Sequence, residues 1–276
     1  MIHVGGKPLL EHHLLALKAA GIREILLVVN YKADQIKKYF EDGSNLGVKI
    51  EYAYQKEIKG TANAFALAED FVDEDFLATY GDLLITPKVV NSAIDLHSKN
   101  APAATLTTVE VEHPEHYAVI KLNKNRVTEI VEKPPPGAID SRQINAGVYI
   151  FSPEIFKAIK RTGESPRGEQ EITDSIRLLI ENGEKVVAAK VSREDWLDVG
   201  RPWDLLEANV RILRHLKPKV QGKLEEGAHI EGAVFIEEGA RIRSGVYIEG
   251  PVYICLLYTS DAADEGLGVD LGGRRI

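Results

Sequence analysis

The chain has 276 residues, 44% of them hydrophobic, a formal net charge of -8 and one cysteine. The acidic balance argues against a nucleic-acid-binding surface, although local cations and backbone N–H groups can still hold a phosphorylated small molecule. One cysteine excludes a disulfide framework and a cysteine-cluster metal site and fits a reducing cytoplasm. No apolar run approaches the roughly 20 residues that span a bilayer, and the N-terminus lacks a basic-then-apolar leader.

Leu10, Leu14 and Leu17 follow helical spacing in a segment closed by Gly21. Ile25 to Val29 is an apolar run of the kind buried on both faces of a sheet. Asp34 is placed to cap a helix through Phe40, and Val48 to Tyr54 alternates as a strand. Gly60-Thr61 opens a helix over Ala62 to Ala68, and Phe76 to Tyr80 is the next buried strand. This alternation predicts right-handed crossovers and a mostly parallel, doubly wound sheet.

A helix from about Pro87 to Ser98 follows, and the pattern then changes. Ala104 to Val111, Ala118 to Leu122, Val127 to Glu132 and Asn145 to Phe151 read as four strands with few helices between them, which predicts an antiparallel portion and so a mixed sheet. Helices over Pro153 to Ile159 and Glu171 to Glu181, a strand over Val186 to Val191, a strand end at Trp196 to Gly200 and a helix over Pro202 to His215 complete the first domain, expected at 1–217.

From Leu224 the period becomes six: Leu224, Ile230, Ile236, Ile242, Ile248 and Ile254 recur at that spacing, as do Ala228, Val234, Ala240, Val246 and Val252. Hexad repeats predict the start of a left-handed β-helix over 218–254, of about two coils. Residues 255–276 break this pattern. Their two blocks, Cys255 to Glu265 and Val269 to Ile276, look like the translation of a sequencing adapter, and the tail is set aside as non-native.

Two acids, Asp82 and Asp198, stand just past strand ends, where open α/β sheets place their chemistry. Gly-Asp also ends strands for backbone reasons alone, so the position by itself leaves a simple turn open. Together the two could converge on one cation, and carboxylate oxygens suit Mg²⁺.

Val4 to His12, Gln55 with Gly60-Thr61-Ala62, Tyr80-Gly81-Asp82, Glu132-Lys133-Pro134, Asn145-Ala146-Gly147 and Trp196 to Gly200 occur in an order and spacing that resembles the sugar-1-phosphate nucleotidylyltransferase family over residues 1 to about 215. With the hexad repeats, the whole resembles archaeal-type bifunctional enzymes that join such a domain to an acyltransferase-like β-helix.

The resemblance implies a Rossmann-like fold and nucleotidyl transfer from UTP or dTTP to a sugar-1-phosphate, releasing pyrophosphate. It assigns nucleotide contacts to Gln55, Gly60, Thr61, Tyr80 and Gly81, and Lys133 to the sugar phosphate. Glu132, Asn145, Gly147 and Glu171 would face the sugar, and Asp82 and Asp198 would be Mg²⁺ ligands. Each motif also has a plainer reading: Gln55 and Gly60 as a strand end and helix start, Glu132-Lys133 as an exposed charge pair, Glu171 as a helix cap. The implied chemistry needs no protein nucleophile, and none of the eight histidines has ligand or triad spacing.

The family's first strand, with its glycine-rich loop and catalytic arginine, finds no counterpart near Met1, and Lys7 does not take that role. The chain therefore reads as an N-terminally shortened piece, expected to be poorly stable and inactive as written, with Ile25 to Val29 and Phe76 to Tyr80 lacking a neighbour. A non-catalytic sugar-nucleotide-binding protein, or acyl transfer by the β-helix of a parent trimer, are the alternative functions.

Overall fold

The computed structural model describes residues 1–255; the remainder of the adapter-like tail lies outside them. In chain order the elements are β1 (His3–Val4), β2 (Lys7–Pro8), α1 (Leu9–Ala19), β3 (Glu24–Val29), α2 (Ala33–Phe40), β4 (Lys49–Tyr54), α3 (Thr61–Ala66), β5 (Phe76–Thr79), β6 (Leu83–Ile85), α4 (Pro87–Asn100), β7 (Ala104–Glu110), β8 (Ala118–Asn123), β9 (Arg126–Glu132), β10 (Gln143–Phe151), α5 (Glu154–Arg161), α6 (Ile172–Glu181), β11 (Val186–Lys190), β12 (Trp196–Asp198) and α7 (Pro202–Leu213). Seven short strands follow: β13 (Lys219–Val220), β14 (Lys223–Leu224), β15 (His229–Glu231), β16 (Val234–Ile236), β17 (Arg241–Ile242), β18 (Tyr247–Glu249) and β19 (Val252–Ile254). None of the helices is long and apolar enough to cross a membrane among the described residues.

Two compact units result. The first holds Leu9–Val199, and the second holds Ile2–Pro8 with the chain from Gly200 onward. The boundary expected at 217 thus falls inside the second unit, where the Gly5 N–H donates to Asn209 Oδ1 at 2.8 Å and ties the β1–β2 hairpin to α7.

In the first unit six strands pair in the order β5-β10-β7-β11-β9-β8. The sheet is mixed, as the run of strands with few helices between them predicts, but it is less parallel than the alternation in the first part of the chain suggests: β7–β11 is its parallel pair, and β10 runs antiparallel to both β5 and β7. The reason is connectivity, since β8 and β9 are joined by a two-residue turn that permits only an antiparallel ladder. The crossover from β3 through α2 does give a parallel partner, β4, but this pair forms a separate two-stranded sheet. Consequently β3 pairs only with β4 and β5 only with β10, and no strand among the described residues joins their other edges.

The six-stranded sheet is buried on both faces. Tyr149 and Phe151 of β10 pack with Ile155, Phe156, Ile172 and Ile176 from α5 and α6, whereas Ile144 and Val148 pack with Leu14, Leu17, Val89 and Val90 from α1 and α4. That alternation is the period of two expected of a strand, and it explains why β10 reads as an almost unbroken apolar run.

Two local readings need correction. Asp34 lies in the first turn of α2 rather than at its cap, which is Lys32 at φ 52°. The three-residue strand β6, which no sequence pattern announces, pairs antiparallel with β12.

In the second unit, Pro202 begins α7 and the Arg201 N–H donates to Asp204 Oδ2 at 2.8 Å, so the N3 carboxylate reaches back to the N-cap main chain. Beyond it the short strands pair in parallel: β14 with β17, β15 with β18, and β16 with both β13 and β19. Leu224 pairs with Ile242, Ile230 with Ile248 and Val234 with Val252, so three hexads separate paired positions. Val234, Ile236, Ala240, Ile242 and Ile248 form the core between the ladders.

Candidate functional site

The residues singled out in the sequence gather at the C-terminal ends of β4, β5, β9 and β12 and at an irregularity in β10. Asp82 and Asp198 come together because β6 and β12 pair: Asp198 lies opposite Leu83, and the Val199 N–H donates to the Asp82 carbonyl at 3.1 Å. Solvent reaches Asp82, yet desolvation by the surrounding protein pushes its carboxyl above the ordinary carboxylate range, partly offset by its own backbone N–H. Two acids on neighbouring main-chain segments, one of them desolvated, are of the chemistry that suits Mg²⁺, which binds through one or two carboxylates and completes its shell with phosphate oxygens and water. No group of three or more His, Cys, Asp or Glu placed to hold a metal occurs among the described residues, so a dedicated all-protein cage is not what these residues build.

Asn145 is exposed to the site by the backbone of β10. Its pairing with β7 shifts register between Asn145 and Tyr149, and Gly147 lies within the shift at φ +74°. A Cβ on Gly147 would stand 2.5 Å from the Tyr80 ring, so this position requires glycine on both conformational and steric grounds. Asn145 Nδ2 donates to the Tyr149 hydroxyl at 2.5 Å, its Oδ1 accepts from the Gly147 N–H at 3.2 Å, and Tyr149 donates to the Tyr80 hydroxyl at 3.1 Å. Tyr80 in turn shares a hydrogen bond with Thr61. Burial pushes both tyrosines well up, so each stays protonated. The side chain of Tyr80 is therefore part of the floor of the site, between Phe65 and Tyr149.

Lys133 leaves β9 with φ +40°, a left-handed conformation that costs a non-glycine residue about 1–2 kcal/mol. Its N–H donates to the Tyr117 carbonyl at 3.1 Å, which holds the turn, and its side chain is exposed. Such strain concentrates where a side chain must be aimed. Beside it, Glu132 accepts from Thr173 Oγ1 at 3.2 Å. Burial raises the Glu132 carboxyl, with Thr173, Lys133 and Arg167 opposing the shift.

Glu171 occupies the N-cap of α6 but makes no capping hydrogen bond. Its carboxylate, 6% exposed, instead stands 3.2 Å from Arg167 Nη1, which is also 3.5 Å from Glu132. Glu171 Oε1 nonetheless has no hydrogen-bond partner, and burial followed by the Glu132 charge raises its carboxyl. Two buried-side acids bridged by one exposed arginine make a site rich in acceptors, the chemistry that holds sugar hydroxyls, next to Lys133 and Arg167 as cations for a phosphate.

The third group is Gln55 with Gly60 and Thr61. The Gln55 N–H donates to the Val29 carbonyl at 2.9 Å, and its carbonyl accepts from Asn30 Nδ2 at 2.6 Å. Gly60, at φ +112°, lies against the Gln170 backbone, 2.5 Å from where a Cβ would stand. The chain exchanges hydrogen bonds there, Gln170 N–H to Lys59 carbonyl and Ala62 N–H to Gln170 carbonyl. Thr61 Oγ1 accepts from the Ile172 N–H at 2.9 Å, so it ties α3 to the start of α6. A Cβ on Gly81 would meet Leu10 only at an ordinary contact distance of 3.5 Å, so the position carries the chain from Tyr80 to Asp82 without requiring glycine.

Arg167, Thr173, Tyr149 and Asn63 take part in these contacts and are not among the residues picked from the sequence. Arg167 sits in a Ser-Pro-Arg-Gly segment without periodicity, and only its spacing of four from Glu171 could have drawn attention to it.

Residues 1–215 match the model of the Nucleotidyl transferase family. The chain is 39% identical over 240 residues to a protein named bifunctional protein GlmU from Methanocaldococcus jannaschii, covering 87% of this chain and 55% of that one. It is 35% identical over 241 residues to the low-salt glycan biosynthesis nucleotidyltransferase Agl11 of Haloferax volcanii, covering 86% of this chain and 66% of that one. A glucose-1-phosphate thymidylyltransferase of Streptomyces griseus is 34% identical over 241 residues, covering 87% of this chain and 67% of that one. The chain thus spans little more than half the length of the GlmU relatives it matches. Among solved structures, UDP-glucose pyrophosphorylase complexed with UDP-glucose superimposes with a TM-score of 0.68 at 23% identity, over 76% of this chain and 88% of the other, which shows the fold. A putative glucose-1-phosphate thymidylyltransferase from Bacillus anthracis gives 0.66 at 26% identity, over 76% and 84%. The chain belongs to the Nucleotidyl transferase family.

Proposed function

We propose that this domain transfers a nucleotidyl group from UTP or dTTP to a sugar-1-phosphate. The supporting observation is the Glu132–Arg167–Glu171 cluster, with Lys133 directly following Glu132 at the end of β9. A sugar-phosphate oxygen attacks the α-phosphorus in line, a new P–O bond forms, and the bond to the bridging oxygen breaks to release pyrophosphate. The protein need supply no nucleophile. Its residues bring two anions together and neutralise their repulsion, a role open to Lys133 and Arg167.

Glu132, Glu171 and Asn145 accept or donate to sugar hydroxyls and so orient the phosphate. The amide of Asn145 is fixed by Gly147 and Tyr149 before the sugar arrives. Asp82 and Asp198 would hold Mg²⁺, which when bound neutralises phosphate charge. The parallel ladders of the second unit, three hexads apart, support the start of a left-handed β-helix, the kind of element through which a parent protein would assemble as a trimer.

Isothermal titration of a UDP-sugar and a dTDP-sugar into the chain, with and without Mg²⁺, tests this reading. Binding that Mg²⁺ strengthens, and that Lys133→Ala and Asn145→Ala each weaken roughly tenfold, is expected. Absence of binding at millimolar ligand, or binding indifferent to both substitutions, would overturn it.

A further inference from the structure

Gln55 has one side-chain amide, and the structure accounts for both of its hydrogens. Nε2 stands 2.9 Å from Asn63 Oδ1 and 3.5 Å from the Gly60 carbonyl. The Gly60 carbonyl can only accept, so the nitrogen and not the oxygen of the Gln55 amide must face it. That choice also fixes Asn63, which has to present Oδ1. The backbone of Gln55 is held as well, by the Val29 carbonyl and by Asn30 Nδ2. A side chain that in general offers a donor and an acceptor therefore has only Oε1 left for a ligand. The Gly60 N–H, nearby in the chain, donates to no protein acceptor among the described residues.

We propose that Asn63 is a positioning residue that sets the nucleobase preference. By occupying a Gln55 Nε2 hydrogen, it leaves an acceptor-only amide that favours a base presenting N–H. Uracil and thymine carry N3–H between two carbonyls and match an acceptor beside a donor. Cytosine has the same size but puts a lone pair at N3, which would face the Gln55 oxygen. Guanine also presents an N–H beside a carbonyl, on a larger ring, so uridine against cytidine isolates the amide from the size of the pocket. The proposal rests on Gln55 being a base contact, as in the function proposed above.

The test uses the 276-residue chain, Asn63→Leu, which removes the acceptor, and Asn63→Asp, which retains one. Titration with UMP and CMP gives the preference. Solvent exchange of the Gln55 side-chain NH₂ in a ¹⁵N-glutamine-labelled sample, assigned by its loss in Gln55→Glu, reports the lock itself. We expect slowed NH₂ exchange and a preference for UMP of roughly 100-fold. Both should fall in Asn63→Leu, the preference to below roughly tenfold, and both should persist in Asn63→Asp. A UMP preference that survives in Asn63→Leu overturns the role of Asn63 while leaving Gln55 as a base contact. A protected NH₂ with equal or absent binding of UMP and CMP in the unsubstituted chain overturns the base contact itself, and the preference with it. Fast NH₂ exchange in the unsubstituted chain overturns the lock.

Discussion

His13 provides a measurable acid sensitivity. It lies on α1, fully buried, with Nδ1 donating to the Leu83 carbonyl at 3.0 Å and Nε2 without a partner. Burial lowers its pKa from 6.5 to about 4, and the hydrogen bond to Leu83 opposes part of that shift. The unfolded chain thus takes up a proton near pH 6.5 that the folded chain refuses until about pH 4. The stability linked to His13 is fully present above pH 6.5 and is lost as the pH falls toward 4. At about 1.4 kcal/mol per pH unit the full loss is about 3.4 kcal/mol, of which about 2 kcal/mol is gone by pH 5. Asp82, Glu132 and Glu171 act in the opposite sense, because burial raises their carboxyls. Urea unfolding of the chain and of His13→Gln at pH 7.5, 6 and 5 separates them, since glutamine retains a donor and does not titrate. The stability difference between the two proteins should move by about 2 kcal/mol across that range in favour of the glutamine variant. A difference that stays constant with pH would refute the reasoning.

Gly147→Ala should destabilise the first unit by about 2–4 kcal/mol, from the left-handed backbone and the overlap with the Tyr80 ring, read as a lower urea midpoint at unchanged slope. Lys133→Gly should raise stability by about 0.5–1 kcal/mol by relieving its backbone strain, while weakening NDP-sugar binding in calorimetry. Arg167→Ala should push the Glu132 and Glu171 carboxyls further up, visible as a later titration of their ¹³C carboxyl signals. Asp82→Ala and Asp198→Ala should each abolish the Mg²⁺-dependent part of NDP-sugar binding and leave the Mg²⁺-independent part in place.

Most elements could be read from the sequence because their burial leaves a period. Ile144 to Phe151 is unbroken because both faces of β10 are covered, and Leu10, Leu14 and Leu17 mark the buried stripe of α1. β6 escaped notice because three residues between a Gly-Asp turn and Pro87 are too few to show alternation. The antiparallel portion around β7 to β10 is legible because four strand patterns follow one another with few helices between them, whereas the share of parallel pairs in the whole sheet is not, since local pattern says nothing about which strands become neighbours. Candidate positions can be picked from the sequence where a residue type stands at a strand end, as with Asp82, Asp198 and Gln55. The site was not legible where a contact depends on folding from afar, as when Arg167 meets Glu132 or Asn63 meets Gln55. The left-handed turn at Lys133 was equally hidden, since a lysine before proline advertises an extended conformation instead.

The edges of β3 and β5 that no strand among the described residues covers have a consequence for how the chain behaves in solution. Each edge offers a row of main-chain donors and acceptors flanked by apolar side chains such as Leu26, Val28 and Leu77. An edge of this kind is a template for any extended strand that reaches it, including one from another copy of the same chain. Amides along these two strands should exchange with solvent faster than those of the enclosed strands β7 and β10, and concentrated solutions should be lost to sheet-rich aggregates before the fold itself melts.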